Sequence, residues 1–146
     1  MKFEVRSTKY EVTKYEADRF LTKPDGMSRD EPEDLSERSF RFTCEVYDYC
    51  DELVRLRGLP CRLAYQLFDA AGSVGANRAE SKSSYSEKEF RAKNAICLKE
   101  SREARFWLRV ADAKRLGDGA KRTYLLQESN ELVAIYASIV RKLKQK

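Results

Sequence analysis

The chain has 146 residues, 36% of them charged and 42% hydrophobic, enough for one domain-sized core under a heavily charged surface. No apolar run approaches the ~20 residues of a membrane-spanning helix, and the N-terminus lacks the apolar centre of a signal peptide, so a cytoplasmic protein with no membrane partner is expected. The net charge is +5, there is no His, and Cys44, Cys50, Cys61 and Cys97 show no C-x-x-C spacing, which argues against zinc and for free thiols in a reducing compartment.

Of 29 basic and 24 acidic side chains, the first 33 residues hold 7 basic and 8 acidic, leaving 22 basic and 16 acidic for the rest. The chain divides accordingly into an N-terminal extension, 1–33, and a basic helical domain, 34–146. In the extension Phe3 and Val5 alternate, Pro24-Asp25-Gly26 is a turn signal, and Ser28 to Glu33 is a polar linker. Phe3, Tyr10, Tyr15, Phe20 and Leu21 supply apolar anchors that favour docking over disorder, whether as an arm, a short strand or a helix on a neighbour.

The first helix starts near Asp34, an N-cap residue, with Ser36 and Glu37 in its first turn. Phe42, Val46, Cys50 and Leu53 form one apolar row and Phe40, Tyr47 and Val54 a second beside it, a face wide enough to touch two neighbours. Gly58 ends this helix, and Pro60 suits the first turn of the next. In the second helix Leu63, Leu67, Ala70, Val74 and Asn77 mark the stripe. Gly72 and Gly75 lie among small residues there, and at roughly 1 kcal/mol each relative to Ala they signal either close backbone approach or a local break.

Ser81 to Tyr85 forms the next turn, and Ser86 with Glu89 has capping-box spacing. Phe90, Asn94, Cys97, Ser101, Ala104, Leu108 and Ala111 then recur at spacings of four and three on one face of a third helix. With no Pro or Gly before Gly117, that helix is expected over Glu87 to Leu116, about 45 Å long. The fourth follows Gly117-Asp118-Gly119, with Leu125, Ser129, Leu132, Tyr136, Ile139 and Leu143 in rhythm and Leu126, Val133 and Val140 beside them. Four helices with short connections predict an all-α, antiparallel up-down-up-down four-helix bundle carrying an N-terminal extension.

One set of motifs goes further. Asp34-Leu35-Ser36-Glu37-Arg38, Gln66-Leu67, Ser73-Val74-Gly75-Ala76-Asn77, Glu80, Ser86, Glu89-Phe90, Leu98-Lys99-Glu100-Ser101, Glu103 and Phe106-Trp107-Leu108 stand in an order that resembles the bacterial four-helix bundle proteins. These are also called intervening-sequence proteins, because some are encoded in inserts within large-subunit ribosomal RNA genes. The resemblance covers roughly Asp34 to Val140. It implies an antiparallel bundle that assembles into rings, typically pentamers. Through a distant branch that works beside the reverse transcriptase of diversity-generating retroelements, it also implies a nucleic-acid-binding accessory role. Phe68 and Asp69 depart from the basic residues of many relatives, which puts any role of that basic pair in doubt here, and Gly75 stands where some have Pro.

Asn77, Glu80, Lys93, Glu100, Glu103 and Trp107 are the polar or aromatic residues that the antiparallel pairing of the second and third helices gathers in one region. Carboxylates sharing a row with Ile96, Trp107 and Val110 read as a hydrogen-bonded network or a subunit interface, with Trp107 buried in the bundle or at that contact. A catalytic carboxylate pair is the competing reading, but no nucleophile elbow, His base, metal set or phosphate loop accompanies it, so no catalytic residue, metal or cofactor is assigned. Lys99, Arg102, Arg105 and Arg109 form a basic edge suited to RNA or DNA phosphates, or to ion pairs with Glu100, Glu103 or another subunit. Apolar residues beyond one stripe per helix predict a homo-oligomer, and the resemblance implies that it has five subunits.

Overall fold

The structure, a computed structural model, describes residues 2–5, 8–11 and 34–144. At the N-terminus β1 (Lys2–Val5) and β2 (Thr8–Glu11) pair antiparallel with Phe3 opposite Tyr10. The expected anchors Tyr15, Phe20 and Leu21 and the turn Pro24-Asp25-Gly26 lie outside the described residues.

Four helices follow: α1 (Leu35–Val54), α2 (Gly58–Ser81), α3 (Glu87–Ala113) and α4 (Gly119–Lys144). Each packs on the next in sequence and α4 closes on α1, which is the up-down-up-down bundle. The caps stand where the side chains predict them. Asp34 Oδ1 accepts the Ser36 amide at 3.0 Å, and Ser86 Oγ accepts that of Glu89 at 3.1 Å while the Glu89 carboxylate reaches back to the Tyr85 amide. All seven residues of the predicted α3 stripe are buried.

Four details depart from or decide the expectations. First, α3 stops at Ala113, short of Leu116. Its carbonyls are closed by the Leu116 amide on Ala111 O at 2.9 Å and the Arg115 amide on Asp112 O at 3.1 Å, a Schellman ending with Arg115 at φ 52 where glycine usually sits. Second, Arg57 before α2 holds φ 59 and ψ 173, a region left almost entirely to glycine and costing other residues roughly 1–3 kcal/mol. Third, the buried position of the α2 stripe beyond Val74 is Arg78, with Asn77 half-buried at its edge. Helical spacing places the residue four after Val74 on the core face, and its charge had hidden it.

Fourth, α2 runs unbroken through both glycines, and only one of them is a close approach. A Cβ on Gly75 would stand 2.7 Å from Thr43 Oγ1, whose hydroxyl bonds Ala71 O at 2.9 Å and Ser39 O at 3.0 Å. Thr43 thus stitches α1 onto the backbone of α2, and Gly75 leaves it room. A Cβ on Gly72 meets nothing.

The two glycines should therefore respond in opposite directions. Gly72→Ala is expected to stabilise the fold by about 0.5–1 kcal/mol through helix propensity. Gly75→Ala should destabilise it by about 1–3 kcal/mol by forcing Thr43 out of place. Urea denaturation of both variants checks this, and a Gly75→Ala protein as stable as the Gly72→Ala protein would rule out the stitch.

Candidate functional site

Two buried polar clusters lie inside the bundle, and neither was singled out from the sequence as a site. In the first, Arg38 of α1 is 3% exposed and binds α4 through Glu128, with Nε on Oε1 at 2.5 Å and Nη2 on Oε2 at 3.0 Å, and through Glu131 at 2.6 Å. In the second, Arg78 donates to Asn94 Oδ1 at 2.8 Å and lies 6.0 Å from the ring centre of Phe90. Close by, the Ser39 and Tyr136 hydroxyls share a 2.6 Å hydrogen bond and the Cys97 thiol donates to Val74 O. The available signal was positional. Arg38 falls four residues before Phe42, and Arg78 four after Val74, both on core faces.

These clusters tie helices together and offer no reactive group. Burial pushes the Tyr136 hydroxyl far above its ordinary range, against the opposing influence of Arg78. Burial raises the Cys50 and Cys97 thiols to about 12, so both stay protonated and unreactive at neutral pH. Among the described residues no group of His, Cys, Asp or Glu is arranged to hold a metal ion, and no helix is long and apolar enough to cross a membrane.

On the outer groove between α2 and α3 the sequence-derived candidates resolve into separate local pairs. Lys93 Nζ meets Glu80 at 2.6 Å, a hydrogen bond that raises the ammonium pKa, and the pair is solvated. Asn77 turns back on its own helix, donating to Ser73 O at 2.8 Å and Ser73 Oγ at 3.1 Å. Trp107 is half-buried and not enclosed between helices. Its indole N–H reaches Glu103 at a long 3.4 Å, and its ring meets Phe106 edge-on at 5.0 Å. Glu100 is half-buried beside them.

Two surfaces stand out from the rest. One is apolar: Phe40 and Tyr47 on α1 and Tyr65 on α2 are 62%, 57% and 62% exposed, with Tyr47 edge-on to half-buried Phe68 at 5.7 Å. In the second apolar row of α1, Phe40 and Tyr47 therefore point away from the bundle's own core, whereas Val54 packs against it. The other surface is basic. Lys99, Arg102 and Arg109 are exposed and Arg105 half-buried along α3, and among the described residues none of the four is ion-paired, although Glu100 and Glu103 lie on the same helix.

A family model described as 23S rRNA-intervening sequence protein matches residues 33–138. Among solved structures, a protein of unknown function from the S23 ribosomal protein family of Bacteroides thetaiotaomicron superposes with a TM-score of 0.67 over 74% of this chain and 99% of that one, at 22% sequence identity. At that identity the likeness establishes the fold alone. No curated protein matches this chain.

Proposed function

The chain belongs to the 23S rRNA-intervening sequence protein family, and from that premise we propose that it acts without catalysis, as a self-associating bundle whose surfaces hold other molecules. The observation that carries this reading is the aromatic face formed by Phe40, Tyr47, Tyr65 and Phe68. Large contiguous apolar patches on soluble domains mark contacts, and this one flanks a seam already packed to backbone distance. A second copy of the chain is the partner proposed for it. Closed cyclic symmetry suits such a face, and a ring of five is the assembly the family resemblance favours.

A second reading rests on the unpaired α3 edge. Four cations along one helix, free of intramolecular carboxylates, are suited to the phosphate backbone of RNA or DNA, which any sequence presents. The protein would then hold nucleic acid without regard to sequence, as a structural partner of it.

Light scattering at micromolar concentration tests the first reading. The expected mass is a multiple of the 17.0 kDa chain, five for a pentamer, and Tyr47→Glu with Tyr65→Glu should return it to 17.0 kDa. A parent protein of one-chain mass contradicts self-association, and a dimer or tetramer removes only the number five.

For the second reading, mixed-sequence RNA should bind at low salt with log affinity falling linearly in log salt. Replacing Arg102, Arg105 and Arg109 by Gln should lower the steepness of that line by about 2, roughly 0.7 for each lost single-strand phosphate contact. An unchanged slope would sink the assignment of this edge.

A further inference from the structure

Among the described residues, the two non-glycine residues with positive φ, Arg57 at 59 and Arg115 at 52, are both arginines. One lies in the α1–α2 turn and the other in the α3–α4 turn. These turns share one end of the bundle. The Tyr49 hydroxyl of α1 donates to Leu116 O at 2.7 Å, and a Cβ on Gly117 would touch Leu53. Each arginine occupies a backbone position that glycine would fill with less strain, and a glycine sits within two residues of each, at Gly58 and Gly117. Arg57, Arg115 and the adjacent Lys114 are exposed, and among the described residues none of them is ion-paired. The neighbouring cations differ: Arg122 is taken up by Asp112 at 2.9 Å, and Lys121 by Glu52 at 3.9 Å.

The basic edge of α3 runs straight into this end. From Lys99 to Arg109 it covers about 15 Å of helix, and Lys114 and Arg115 follow where α3 stops. Resting on the nucleic-acid reading above, we propose that the phosphate track turns the corner of the bundle, passing from Arg109 through Lys114 and Arg115 to Arg57. Arginine then stands at the two strained positions because charge is needed there. The ligand class is a nucleic-acid strand held by its backbone. Leu56 and Leu59 also project at this end, a pairing that an anionic membrane would accept. A planar bilayer can meet the end of a rod or its side, however, whereas a strand can follow a track that bends from side to end. The bend therefore favours nucleic acid.

Arg57→Gly combined with Arg115→Gly separates charge from folding, because glycine relaxes both turns. The expected result is a melting temperature raised by a few degrees together with RNA affinity reduced about fivefold or more and a salt dependence shallower by about 1.4. A more stable variant that binds RNA like the parent, while the α3 glutamine variant loses binding, overturns the corner and leaves the α3 reading standing. A parent that binds no RNA at low salt overturns both. Loss of binding to phosphatidylserine vesicles in the glycine variant, with no RNA binding by the parent, overturns the proposal in favour of a membrane surface.

Discussion

Between α1 and α4 the backbones approach least closely of the four packed seams, and large or polar side chains fill the space. Arg38 spans it to Glu128 and Glu131 near one end, Ser39 and Tyr136 join hydroxyls beside it, and beyond its other end Tyr49 reaches the Leu116 carbonyl in the α3–α4 turn. The α2–α3 seam is closer, and there the buried Arg78–Asn94 hydrogen bond sits among small packing residues. On α2 and α3 the facing residues are mostly small, Ala70, Ala71 and Val74 against Cys97, Ser101 and Ala104, so those helices meet through dispersion and burial. The bundle is thus narrow on one side and broad on the other, and the buried ion pair fixes the register of its broad side. An arginine withdrawn from water needs its partners in place, so losing either side of this contact leaves a costly unpaired charge in the core.

That asymmetry decides what the surface has to offer. Thr43 over Gly75 draws α1 and α2 together until their backbones nearly touch, and no room remains between them for Phe40 and Tyr47 of the second apolar row of α1. Phe40 and Tyr47 are consequently turned outward beside Tyr65 and Phe68. On the far side α3 buries one seven-residue stripe of modest size, and its flanks are free to differ. One flank carries Lys93, Glu103 and Trp107 in local polar pairs, and the other carries cations without carboxylates. Packing inside the bundle therefore generates two outward faces of opposite character.

Much of the fold was legible in the residues. The α3 stripe could be named completely because 3.6-residue periodicity persists through it without Pro or Gly, and the caps at Asp34 and Ser86 announce themselves by side-chain chemistry. Charged core residues were not legible. Arg38 and Arg78 obey the helical spacing of their neighbours, but a cation is ordinarily assigned to solvent until its partners ninety or sixteen residues away are known. The two rows of α1 were visible, whereas which row faces inward depends on Gly75, a tertiary fact. Likewise Gly58 and Gly117 mark the turns, but nothing local shows that Arg57 and Arg115 also take positive φ. Of the candidate surface residues, the basic edge of α3 was readable from spacing alone, and its freedom from ion pairs was not.

The broad seam is tested most directly by comparing Arg38 in α1 with Arg55, which caps its C-terminus, in urea denaturation at one fixed protein concentration. Arg38→Ala strands Glu128 in the core and should cost about 3–5 kcal/mol. Arg55→Ala removes an exposed pair with Asp51 and should cost under about 1 kcal/mol. Such a separation is what a bundle registered by buried charge predicts. Equal and small losses for the two variants would contradict it, and would mean that apolar packing alone holds α1 against α4.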